Sequence, residues 1–225
     1  INSHGATRCT LLLFKPQAPK PYARIPFPDS YRIGDTYSML VFDIKPDEFE
    51  YAFSFDGPYE PAKGLLFNEE NVLLDPYSRA VTGQRKWGEK PEGGKDFEYR
   101  ARVVKSSFDW GNIKQLEQPF EDLVIYEIHV RGYTKDKSSG VSAPGTFAGL
   151  KDKIPYLKDL GINAVELMPI FEFDEMESAR VVDGVQLYNY WGYNTVSFFA
   201  PNTSYAFNEE HNHEGDELKS LIKAL

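Results

Sequence analysis

The chain has 225 residues, 41% of them hydrophobic and 15% aromatic, with 16 Phe, 14 Tyr and 3 Trp, enough for a core in one or two domains. Its apolar runs last only a handful of residues, which excludes a membrane-spanning helix, and the first thirty residues lack a signal-peptide pattern. The net charge of −9 is lopsided: residues 1–120 carry 16 Lys and Arg against 17 Asp and Glu, residues 121–225 carry 9 against 17, and an acidic second half argues against nucleic acid as a partner.

The first half reads as antiparallel β. Thr7–Phe14 (TRCTLLLF) predicts a short apolar strand, ended by a proline-rich stretch. Within it Cys9, the only cysteine, reads as a small apolar strand residue. The absence of a disulfide framework fits a reducing compartment, a bacterial cytoplasm or a plastid if a transit peptide has been removed. Thr36–Ile44 alternates Tyr37, Met39 and Val41 against Thr36, Ser38 and Leu40, a strand signal with one apolar exception. EYAFSFDGPYEP then puts Tyr51, Phe53 and Phe55 on one face and turns at Asp56-Gly57-Pro58. NVLLDPYSRAVTG is a further strand, broken where Asp75-Pro76 forbids continued pairing. These short strands predict a small antiparallel β-sandwich, with GEKPEGGKDFEYR as a surface loop leading out.

From Leu123 the grammar changes. LVIYEIHV (Leu123–Val130) predicts a mostly buried strand, with His129 pointing inward. Thr146 can cap a short helix, Pro155 restarts it, Leu157 and Leu160 supply its inward face, and Gly161 ends it as a left-handed cap. A second buried strand follows over Ile162–Pro169, then a long loop crowded with rings, including QLYNYWGYN. DELKSLIKAL places Leu218, Leu221, Ile222 and Leu225 at the spacing of an amphipathic helix. Strand, helix, strand, helix is β/α grammar with parallel strands. Two such units cannot close a sheet, since an eightfold barrel takes about 250 residues. The expectation is a piece of a longer protein that does not fold alone as a soluble monomer.

VIYEIHVRGYT, GTFAGLKDKIPYLKDLGINAVELMPIFEF and YNYWGYNTVSFFAPNTSYA, in that order, resemble the opening of the catalytic barrel in glycoside hydrolase family 13, in its isoamylase and glycogen-debranching branch. The preceding EYAFSFDGPYEPAKGLLFNEENVLLDPYSRAVTG resembles the β-sandwich module of carbohydrate-binding family 48. The resemblance implies a multidomain fold: a sandwich module with linker over 1–120, then the first two βα units of a (β/α)8 barrel over 121–225. It implies retaining hydrolysis of α-1,6 branch linkages in glycogen, starch or related α-glucans by two carboxylates. The family carries these after barrel strands four, five and seven, so no catalytic residue is assigned within this chain. Its partners would be the α-glucan and the remainder of the barrel. A branching or pullulanase-type activity, or a non-catalytic glucan-binding or partner subunit, are the alternatives.

In that family the tyrosine after Trp-Gly stacks on the sugar at the cleaved bond, which here is Tyr193; Trp191 and Tyr190 shape the pocket wall or pack beneath it. A phenol covers the apolar face of a pyranose and favours positive charge at the anomeric carbon. Glu166 reads as a paired strand carboxylate and FEFDEMES as a solvated acidic rim, with Asp174, Glu175 and Asp183 conceivable calcium ligands. No other cofactor is implied. His211 and His213 read as a polar loop rather than a metal site, and Trp87 and Trp110 are the aromatic candidates for a sugar-binding face on the sandwich.

Overall fold

A computed structural model describes residues 1–83, 86–89, 99–105, 107–114, 116–208 and 213–225. Most of the expected surface loop after Trp87, and His211, lie outside the described residues. The polypeptide divides into two compact units: Ile1–Thr82 with Pro91–Val104, and Gly83–Lys90 with Lys105–Leu225.

The first unit is β-rich. Arg8–Phe14 is the central strand of a three-stranded antiparallel sheet, flanked by Ala23–Pro26 and Glu50–Asp56. Both faces are covered, which is why the strand reads as an apolar run. Cys9, Phe53 and Phe55 pack with Ala6 and Tyr37 on one side, and Leu12, Phe14 and Ala52 on the other. Arg100 and Glu50 are both buried and form an ion pair at 3.3 Å, with the guanidinium 4.0 Å from the centre of the Phe14 ring.

Two of the expected strands shrink. Of Thr36–Ile44 only Thr36–Tyr37 pairs, against Arg32–Ile33. The alternation survives, with Tyr37 buried and Met39 and Val41 half-buried, but Leu40 and Phe42 are 81% and 74% exposed. Among the described residues no strand runs beside 38–44, so facing is set without a hydrogen-bonded ladder. Likewise Leu73 makes a single antiparallel bridge to Phe53 before Asp75-Pro76 ends the pairing.

Cys9 is wholly buried, and that burial pushes its thiol up to about 12, leaving almost no thiolate at neutral pH. Peptide mapping after iodoacetamide treatment of the folded protein should find Cys9 unmodified, with full alkylation in guanidinium. Equal rates in both conditions would contradict the burial.

In the second unit, Ile125–Ile128 and Ala164–Leu167 pair in parallel, from Ile125 opposite Ala164 to Ile128 opposite Leu167. Three short helices, Val130–Thr134, Phe147–Lys151 and Ile154–Asp159, connect them. Thr146 caps the second by accepting the Gly149 N–H at 3.2 Å, Pro155 occupies the first turn of the third, and Gly161 is left-handed at φ 86°. Ile128, Val130, Phe147, Leu150, Leu157, Phe173, Tyr205 and Leu221 form the core.

Three expectations change here. The first strand is not mostly buried: Ile125 is 51% exposed, because among the described residues the strand has one neighbour, and the chain leaves it at His129 to begin a helix. Leu160 is exposed, since its helix stops at Asp159 and only Leu157 turns inward. The terminal helix His213–Ala224 buries Leu221 but leaves Ile222 and Leu225 in solvent. Among the described residues no helix is long and apolar enough to cross a membrane.

Candidate functional site

The stretch after Pro169 is not one long loop. Phe171–Phe173 pairs antiparallel with Thr195–Pro201, with register shifts on both sides of Glu172. Such bulges turn consecutive residues the same way, and Glu172 and Phe173 are both fully buried. Arg180–Val182 and Val185–Leu187 form a hairpin around Asp183-Gly184, both at positive φ, the Asp-Gly chemistry of a two-residue turn.

The ring-rich segment follows. Gly192 sits at φ 76°, and a Cβ there would stand 2.6 Å from the Phe173 ring, so a side chain is excluded both by conformation and by space. Asn189 donates its N–H to the Glu175 carbonyl at 2.9 Å and its side-chain amide to the Asp174 carbonyl at 3.3 Å. Tyr190, 39% exposed, stacks on the His129 imidazole with centroids 4.3 Å apart and planes 8° from parallel. Trp191 and Tyr193 are 61% and 69% exposed. Tyr190 is thus covered on one face by the imidazole, whereas Trp191 and Tyr193 present exposed rings.

His129 caps the helix Val130–Thr134, its Nδ1 accepting the Gly132 N–H at 2.9 Å and its Nε2 lying 2.8 Å from the Tyr190 carbonyl oxygen. Because it immediately follows Ile128, it ties the aromatic turn to the C-terminal end of the first parallel strand. Burial, and to a smaller degree Arg131, pushes its pKa below the ordinary imidazole value. Trp87 lies in the second unit, not in the β-rich one. The Arg131 guanidinium is 4.4 Å from the centre of its ring, and the rings of Phe173, Tyr190 and Tyr205 surround it. Trp110 also belongs to the second unit, edge-on to Phe108. Neither is a sugar platform on the β-rich unit.

The acidic stretch is a correction too. Glu172 and Glu175 are fully buried, not a solvated rim. Glu172 Oε2 accepts the Thr203 N–H at 2.8 Å, and Glu175 Oε1 accepts Ser204 Oγ at 2.6 Å. The remaining oxygen of each has no partner among the described residues. Burial pushes Glu172 well above the usual carboxylate range and Glu175 up to about 7. Asp174, Glu175 and Asp183 do not converge: Asp174 accepts the Met176 N–H and Asp183 forms the hairpin tip. Among the described residues no group of three His, Cys, Asp or Glu side chains is placed to hold a metal. Glu166 lies beside Glu127 in the parallel ladder and both are exposed, so Glu166 has no basic partner across that ladder. His213 begins the terminal helix.

Glu172 and Glu175 were thus hidden from sequence reasoning as structural anchors, and for the inward-pointing His129 the partners, Gly132 and Tyr190, were hidden. The available signal for Glu172 was its place inside the apolar strand FEF; Glu175, in the turn that follows, offered none.

Residues 2–78 match the family described as carbohydrate-binding module 48 (isoamylase N-terminal domain). The chain is 36% identical over 232 residues to chloroplastic isoamylase 1 of Arabidopsis thaliana, covering 99% of this chain and 29% of the plant protein. It is also 36% identical over 217 residues to the glycogen debranching enzyme of Yersinia enterocolitica, covering 90% of this chain and 31% of that enzyme. Type I pullulanase from Bacillus subtilis, solved with maltose, aligns with a TM-score of 0.72 at 24% identity, over 100% of this chain and 29% of that one. Pullulanase from Paenibacillus barengoltzii, solved with maltohexaose and alpha-cyclodextrin, gives 0.75 at 22%, over 98% and 33%. At these identities the two structures speak for the fold alone. This chain spans under a third of the length of the two sequence relatives.

Proposed function

Because the chain belongs to the isoamylase and glycogen-debranching family, we propose that the full-length protein hydrolyses α-1,6 branch linkages of glycogen, amylopectin or a related α-glucan with retention of configuration. In this reading residues 1–120 are a carbohydrate-binding-type β-sandwich with its linker. Residues 121–225 open a (β/α)8 barrel whose further strands carry the nucleophile and the acid. Sites in such barrels are built from the loops beyond the C-terminal ends of the strands. The observation that carries the proposal is the placement of the aromatic turn: the exposed Trp191 and Tyr193 rings follow a residue bound to His129, directly past the first parallel strand. Tyr193 would lie on the sugar at the cleaved bond, Trp191 would form the adjoining wall, and Tyr190 would hold the turn from below. A plastid, as the name of the chloroplastic plant relative suggests, or a bacterial cytoplasm would house it.

Assay of the full-length protein on amylopectin and pullulan tests this. Release of reducing ends and rising iodine colour from amylopectin, with little attack on pullulan, is expected. Preference for pullulan would move the protein to the pullulanase branch. Silence on both would leave a glucan-binding or partner subunit. Tyr193→Ala should lower kcat/KM on amylopectin by roughly 30-fold, as loss of an uncovered stacking ring implies, and Tyr193→Phe should retain most of the activity. Full activity in Tyr193→Ala would remove that residue from the site.

A further inference from the structure

We propose that His129 is a positioning residue for the aromatic turn, its imidazole clamping the main chain at Tyr190 so that Trp191 and Tyr193 are held toward substrate. The inference rests on the reading above for what the rings bind, and on the geometry of His129 for how they are held. Nδ1 accepts the Gly132 N–H at 2.9 Å, so it carries the lone pair, and Nε2, 2.8 Å from the Tyr190 carbonyl, carries the proton. Only the neutral Nε2–H tautomer makes both bonds. The same ring stacks on the Tyr190 phenol, so backbone and side chain of one residue are gripped together.

The neighbouring sequence keeps this grip possible. A Cβ at Gly132 would stand 2.6 Å from Tyr190 Oη, so that position must be glycine for the phenol to seat. Tyr205 Oη lies 3.3 Å from Nε2, and Arg131, on the helix that His129 caps, is the nearby charge that disfavours a second cation. Across the turn, Asn189 is bound to the main chain at Asp174 and Glu175. Two residues later the chain reaches Trp191. The Trp191 and Tyr193 side chains are exposed, while the bonds and ring contacts of the histidine run to Gly132, Tyr190 and Tyr205. Its effect on substrate therefore passes through the backbone.

His129→Asn in the full-length protein separates the two roles of the histidine. Asparagine is itself a favoured helix cap and can accept the Gly132 N–H, but it offers no flat ring to Tyr190 and is too short to span to its carbonyl. Hydrogen exchange of the amides of residues 188–194 should accelerate at least tenfold, while those of Phe147–Lys151 stay unchanged and the thermal midpoint is kept. KM for amylopectin should rise about tenfold, with a smaller change in kcat, as loss of one hydrogen bond and one stacked pair implies. Unchanged exchange at 188–194 overturns the proposal whatever the assay shows. Faster exchange throughout the unit with a lowered midpoint overturns it too, by making the role merely structural. Local loosening with an unchanged KM overturns the link to substrate. If the turn loosens locally but the unaltered protein ignores amylopectin, the clamp stands and the functional reading fails.

Discussion

Gly149→Ala should destabilise the second unit by about 3 kcal/mol, although helix propensity alone predicts a gain of about 1 kcal/mol from the same change. Gly149 is in the helix Phe147–Lys151, where its N–H is taken by the Thr146 cap. A Cβ there would lie 2.1 Å from the Ala143 carbonyl oxygen, 3.0 Å from its carbon and 3.2 Å from Thr134 Oγ1. None of these atoms is free to retreat. The Ala143 carbonyl accepts the Thr146 hydroxyl at 2.9 Å, and Thr134 Oγ1 accepts the Gly145 N–H at 2.8 Å, inside a region where Phe147 and Leu150 are fully buried. Relief would require moving the segment before the helix away from the core, with loss of the cap. The midpoint of denaturation of the full-length protein, together with hydrogen exchange in residues 147–151, checks this. A raised midpoint would mean that the segment before the helix can shift at little cost and that propensity wins.

The contrast also shows what a linear reading can hold. Features fixed within a few residues were legible: the Thr146 cap, the Pro155 restart, the left-handed Gly161, and the strand Arg8–Phe14. The parallel pairing of Ile125–Ile128 with Ala164–Leu167 was legible too, because a helix of the right length between two apolar runs leaves few alternatives. Features that depend on a distant partner were not. Thr36–Ile44 alternates as a strand should, yet pairing needs a neighbour, and among the described residues none lies alongside beyond Tyr37. The Asp183-Gly184 hairpin was a local signal passed over because it sat among rings and acids that suggested a loop. At the candidate site the rings themselves were evident, but which were covered was not: Tyr190 is gripped by His129 while Trp191 and Tyr193 are open. Burial of Glu172 and Glu175 followed from a bulge and from Asn202, Thr203 and Ser204, about thirty residues away, which no window of periodicity can reach.

Those buried carboxylates lead to the second large effect, a loss of stability on going from pH 4.5 to pH 7. An unfolded Glu175 releases its proton near pH 4.5, whereas the folded one holds it to about 7, because burial outweighs the hydrogen bonds from Ser204 and Asn202. Over that interval the native state binds more protons than the unfolded state, so stability falls as pH rises, by about 3 kcal/mol for this one group. Glu172 is also pushed well above the usual carboxylate range by burial and by the neighbouring Glu175, and acts in the same sense. His129 acts in the opposite sense, since an imidazole with a lowered pKa favours the folded state increasingly as pH rises toward 6.5. The exposed Asp56 is held below its ordinary value by Arg8 and titrates under the window. Glu175→Gln isolates the contribution, because the amide keeps the shape and the Ser204 contact but has no proton to release. Urea titrations of the full-length protein at pH 4.5, 5.5, 6.5 and 7.5 should show the decline in stability flattened in the variant, whatever its absolute stability. Identical slopes in the two proteins would mean that Glu175 is ionised when folded, and that a positive charge reaches the buried pair.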